Sequence, residues 1–130
     1  MKYEIEWYNP EVGTPIVSLA EYGLVFNKAA SELLGNPNKI KLGFDKKNLI
    51  IAVASADNDD SSALQFYGKE RKGFTRINCK DFVRFITRYF PDINLVKAIR
   101  FLARMDKEEG ILVVDLKKPI DAEDSLKIGE

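Results

Sequence analysis

Apolar residues along the chain come in short runs broken by glycine, proline and asparagine, a pattern that predicts several short strands and two helices. Tyr3, Ile5 and Trp7 alternate with Glu4, Glu6 and Tyr8, so 3–8 reads as a first strand that ends at Asn9-Pro10. Ile16, Val17 and Leu19 begin another strand. Glu21-Tyr22-Gly23 reads as a tight turn and 24–26 as the returning strand. Asn27 is an N-cap for a short helix over 28–34, with Ala29, Ala30, Leu33 and Leu34 as its apolar stripe and Gly35 as its left-handed stop. Ile40, Leu42 and Phe44 alternate as a strand, 45–48 is a turn, and 49–54 is a β-rich apolar run of the kind buried on both faces. Strands are expected at 63–67 and 74–77 around a charged turn at 68–73. Asn78 reads as the cap of a longer helix over 79–90. Phe82, Phe85, Ile86, Tyr89 and Phe90 share one face of it, Lys80, Arg84 and Arg88 share the other, and Pro91 ends it. Residues 97–105 fit a strand, with Ile99, Phe101, Ala103 and Met105 alternating against Arg100, Leu102 and Arg104. They also fit a helix starting at Asn94. Gly110 closes a turn before a strand at 111–116, and residues from Lys118 on read as a polar, frayed tail.

The order of parts occurs twice. Residues 23–54 and 73–116 each run glycine, strand, asparagine, helix, strand, turn, strand. The clearest match sets IKLGFDKKNLIIAV beside IRFLARMDKEEGILVV, both with Asp-Lys at the turn and an aliphatic run after it. This echo favours the strand at 97–105. The whole pattern predicts an α+β chain in one domain over 1–130: a small, mostly antiparallel sheet or barrel with two helices. Pseudo-repeats at 16–55 and 66–116 would bury one shared core. A TATA-binding-like saddle is the alternative architecture for the same order of elements.

Charge placement changes the picture more than composition does. The 130 residues carry twenty Lys plus Arg against twenty Asp plus Glu. That balance averages over unlike segments: six Lys against nine acids in 1–68, ten cations against three acids in 69–104, and four Lys against eight acids in 105–130. All six arginines fall in the middle segment. Arginine's planar fork suits phosphate, and a local excess of seven positive charges raises a positive field despite the neutral total. The candidate nucleic-acid-binding residues are therefore Arg71, Lys72, Arg76, Lys80, Arg84, Arg88, Arg100 and Arg104. The alternative reading is an interaction module in which the same segment docks an acidic protein partner or the acidic tail of a second copy. Aromatic residues lie mainly in alternating apolar positions, which predicts core packing. Phe66-Tyr67 is the pair that interleaves with the basic segment.

Other chemistry is thinly supplied. With no histidine, Ser-His and Cys-His nucleophile pairs and most zinc sites are excluded. The single cysteine allows no internal disulfide and fits a reducing cytoplasm. Cys79, at the start of a helix, gains thiolate character from the dipole but has no base beside it. The DNDDSS run at 57–62 alternates like a calcium loop but holds Ser62 and Gly68 where that loop needs glycine and glutamate. No glycine-rich phosphate loop, signal peptide or apolar run long enough to span a bilayer is expected. Cofactors and metals are therefore not expected, nor is an enzyme.

In the first half, Glu21, Gly23, Val25 and Phe26, then Leu34-Gly35, then Ile40, Leu42, Asp45 and 49–53 resemble the AbrB/SpoVT/MazE swapped-hairpin family over about 35 residues. The resemblance implies a hairpin-built barrel, DNA binding and transcription regulation. Two departures bear on that. Asn27 stands where the family has a helix-opening proline, and Leu24 and Ser31-Glu32 stand where it has arginines. Any phosphate contacts would then come from the second half.

Overall fold

The computed structural model describes residues 2–5 and 13–120. The elements run β1 (Ile16–Ala20), β2 (Gly23–Phe26), α1 (Lys28–Leu33), β3 (Lys39–Asp45), β4 (Ile50–Ala56), β5 (Leu64–Gln65), β6 (Glu70–Arg71), β7 (Phe74–Asn78), α2 (Lys80–Tyr89), β8 (Ile99–Asp106) and β9 (Ile111–Ile120). Among the described residues the nine strands form one sheet in the order β5-β3-β4-β9-β8-β1-β2-β7-β6, with every neighbouring pair antiparallel.

The period-two pattern sets the inner face. Val17 lies opposite both Phe26 and Phe101, and Phe26 lies opposite Thr75. All four are buried, and Ile51, Val53, Leu112 and Val114 continue that face on the other half of the sheet. The two edge strands of the order, β5 and β6, are joined by residues 66–69 alone. Five Cα steps from Gln65 to Glu70 reach at most about 18 Å. The sheet must therefore curl until its edges nearly meet, giving a half-barrel around the apolar side. Phe66, in that short link, is buried edge-on to Phe26 at 5.3 Å and fills the seam from within.

The helices leave from opposite ends of the antiparallel β2–β7 pair: α1 directly after Phe26, α2 directly after Asn78. Asn27 makes the first exit. Its Oδ1 accepts from the Ala30 N–H at 2.9 Å and the Ile16 N–H at 3.0 Å, so one amide caps α1 and ties it to β1. Gly35, at φ +81°, supplies the expected stop. At the other end Val83 and Ile86 of α2 enter the core, while Phe85 and Tyr89 lean on Phe44 of β3 with ring centroids 6.0 and 6.3 Å away.

Several expectations need correction. Residues 2–5 have no strand pairing and are exposed, and the remainder of the expected 3–8 strand, with Trp7 and Tyr8, lies outside the described residues. Asn78 is not a helix cap: it is the last residue of β7, and Cys79 holds the cap position without a side-chain bond. The strand expected at 63–67 is only Leu64–Gln65. The run at 49–54 has one core face, Ile51 and Val53, while Ile50, Ala52 and Ala54 are half-buried. Residues Lys118 to Ile120 do not fray, because after a register shift Pro119 and Ile120 pair with Phe101 and Arg100 of β8. Residues 97–105 are resolved in favour of the strand.

Candidate nucleic-acid interface

The β6–β7 hairpin is the centre of the basic segment. Its two turn residues, Lys72 and Gly73, have φ of +55° and +87°, the sign pattern of the two-residue hairpin turn whose twist matches its strands. That turn sets the register: Arg71 opposite Phe74, Glu70 opposite Thr75. Since Thr75 and Ile77 are buried, Phe74, Arg76 and Asn78 point outward, and Arg71 shares their face. Glu70 takes the inner side, where its carboxylate accepts the Gly73 N–H at 2.7 Å. The outer face of the hairpin thus carries cations around an aromatic ring, and its one acid is turned away.

Arg76 is held in place. Its guanidinium lies over the Tyr22 ring at 3.6 Å, and its Nε–H donates to Asn78 Oδ1 at 3.2 Å. This bond occupies the side chain that the sequence assigns to helix capping. Arg71 is anchored by donating to the carbonyl oxygens of Gly68 at 3.2 Å and Glu70 at 2.8 Å.

Register carries the basic face across the sheet. Arg76 lies opposite Val25, Val25 opposite Ser18, and Ser18 opposite Arg100. Three strand spacings separate Arg76 from Arg100, about 14 Å. On β8 Arg100 and Arg104 flank exposed Leu102 on the side opposite buried Phe101 and Ala103. Four of the six arginines, Arg71, Arg76, Arg100 and Arg104, therefore share the outer face of one sheet. Lys80, Arg84 and Arg88 form a second group on the exposed side of α2, where Asp81 lies 3.6 Å from Arg84. Lys72 sits at the hairpin tip.

Three clefts border this surface. One of about 340 Å³ runs between β5 and β7, with Lys69, Arg71 and Arg76 among its lining and no acidic side chain. A second, about 430 Å³, continues past Leu64 and Asn78 to Lys80 and Asp81. The third, about 770 Å³, lies between α1 and the β6–β7 hairpin and mixes Lys28 and Arg71 with Glu32 and Glu70. At its floor the buried hydroxyls of Ser31 and Thr75 are 3.5 Å apart.

The aromatic residues divide in a way the sequence reading does not anticipate. Phe26 and Phe66 are core, but Phe74 is 54% and Tyr67 70% exposed. The outward position of Phe74 is legible in FTRIN once Ile77 is taken as the inward residue. The part played by Tyr22 is not legible, because its ring, in the turn before β2, meets Arg76 on the neighbouring strand β7, which is distant in sequence.

The other candidates are spent on structure. Burial pushes the Cys79 thiol up to about 11, against the lowering expected at a helix start, and its Sγ lies 3.6 Å from the Ile77 carbonyl oxygen. Asp60 accepts from the Ser62 N–H at 2.9 Å and hydroxyl at 2.6 Å, and these bonds hold its carboxyl below the usual carboxylate value. Among the described residues no group of three or more Cys, Asp or Glu is placed to hold a metal ion. No described helix is long and apolar enough to cross a membrane. The chain matches no protein-family model, and neither a curated protein nor a solved structure shows significant similarity to it.

Proposed function

We propose that this chain is a non-enzymatic nucleic-acid-binding or regulatory protein that uses its basic segment, residues 69–104. The observation that carries the reading is the shared outer face of Arg71, Arg76, Arg100 and Arg104, with Arg76 and Arg71 anchored by neighbouring groups. Guanidinium groups fixed on a rigid sheet lose little freedom on meeting phosphates and can do so bidentately. The AbrB-like resemblance belongs to this reading. β2 pairs with β7 and β4 with β9, so corresponding elements of the two halves pair with each other. One chain would then supply both halves of a barrel of the kind that such proteins assemble from two. The nearly meeting edges at β5 and β6 favour that barrel over a saddle.

The test is binding of mixed-sequence DNA and RNA, measured by fluorescence anisotropy between about 50 and 200 mM salt. The reading expects log affinity to fall linearly with log salt, with a shallower slope when Arg100 and Arg104 are replaced by alanine. No binding at about 50 mM salt removes it. A stable complex with an acidic protein in that case would mark the chain as a docking module.

A further inference from the structure

From the β6–β7 hairpin and the open seam beside it we infer that the ligand is a single strand of nucleic acid, with unpaired bases stacked on Phe74 and the backbone held by Arg71, Arg76 and Lys69. This inference rests on the reading above and narrows it. Phe74 is a large apolar ring left 54% exposed on the outer face of the sheet. It lies directly across from Arg71 and two residues along the same strand from Arg76. Guanidinium groups beside an exposed ring provide what a sequence-tolerant single-strand site needs: charge for the phosphate backbone and a π-face for a base. A duplex keeps its base faces inside its own stack and would give Phe74 nothing to cover.

The adjoining cleft agrees. Between β5 and β7 the sheet does not close, because β6 pairs with β7 only at Phe74 and Thr75 and β5 pairs with β3 only at Lys39 and Ile40. The opening, about 340 Å³, carries three cations and no acid in its lining. Its volume is at the lower end of what small-molecule sites use, room for a base and its sugar. A rigid duplex cannot enter it. A single strand can follow it, and the second cleft continues the path toward Lys80. The Arg76 guanidinium lies over the Tyr22 ring and its Nε–H donates to Asn78, the neighbour along β7 on the side away from Phe74.

The experiment compares a labelled oligothymidine of about 12 nucleotides with a duplex of the same length, by anisotropy at about 50 mM salt. The single strand is expected to bind at least about tenfold tighter than the duplex. Phe74→Ala is expected to weaken the single strand about tenfold without changing its salt slope, and Phe74→Tyr to restore binding. Arg76→Ala is expected to lower the slope by about 0.7. Thermal melts of each variant confirm that exposed positions have been changed without loss of the fold. Duplex binding as tight as single-strand binding, or a Phe74→Ala variant that binds like the parent, overturns the inference and leaves the broader reading standing. Absence of binding to both overturns the two together.

Discussion

Two asparagines that precede helices do different work, and the difference is measurable. Asn27 Oδ1 accepts from two backbone N–H groups, those of Ala30 and Ile16, while its own Nδ2 donates to the Thr14 carbonyl at 2.7 Å. Asn27→Ala removes a helix cap and leaves a half-buried strand N–H unmatched, so the expected loss is about 2–4 kcal/mol in chemical denaturation. Asn78→Ala removes only an exposed bond from Arg76 and is expected to cost under about 0.5 kcal/mol. Cys79 makes a pH prediction with a definite sign. Its pKa is raised from 9.0 to about 11 by burial, so the folded chain keeps a proton that the unfolded chain gives up. The stability tied to this neutral thiol is complete below about pH 9 and is lost as pH rises toward 11. The stability difference between the parent and Cys79→Ala should therefore shift against the parent across that window in urea titrations. A constant difference would contradict the burial.

At the scale of elements, period and turn chemistry made most of the sheet legible. The alternation of Ile40, Leu42 and Phe44, the Asp-Lys turns, and the Arg100-Leu102-Arg104 stripe all correspond to observed strands and faces. What local pattern missed was set by distant partners. The β9 strand runs through polar Lys117 and Lys118 because β8 offers a ladder as far as Arg100. The Asn78 side chain is recruited by an arginine two residues earlier, on a strand whose register is fixed by β2. Gly23 shows how tightly these elements meet. At φ +151° it lies opposite Asn78, and a Cβ there would sit 2.0 Å from the Ile77 carbonyl oxygen. Because that obstacle is backbone, Gly23→Ala must push β7 off β2 and move the start of α2 with it. The expected cost is about 3 kcal/mol or more. Gly68→Ala provides the control: φ is +86° but nothing lies within 4 Å, so backbone strain alone should cost about 1 kcal/mol. Equal melting temperatures for the two variants would refute this account of the β2–β7 contact.

For the molecule as a whole, the consequential fact is that its halves are joined side by side and not end to end. β1 pairs with β8, β2 with β7 and β4 with β9, so three of the eight ladders cross between residues 13–65 and 66–120. The inner face is shared in the same way: Val17 needs Phe101 opposite it, and Ile51 needs Val114. A half alone would expose that apolar face and three open strand edges, those of β1, β2 and β4 in the first half and of β7, β8 and β9 in the second, the condition under which small sheets lose their fold or aggregate. The covalent link between halves is only the short 66–69 segment, and of it Phe66 alone is buried. Two fragments divided within 67–69 should therefore each lack β-sheet circular dichroism at micromolar concentration. Mixed in equal amounts, they should regain it, since the three ladders supply an interface as continuous as a core. The regained complex should also recover whatever oligonucleotide binding the intact chain has, because Arg71, Arg76, Arg100 and Arg104 all lie in the second fragment but reach one face only across β1 and β2 of the first. If the second fragment folds and binds by itself, the sheet of the first half is not what aligns the arginines, and the basic face must be assigned to the β6–β7 and β8–β9 hairpins separately.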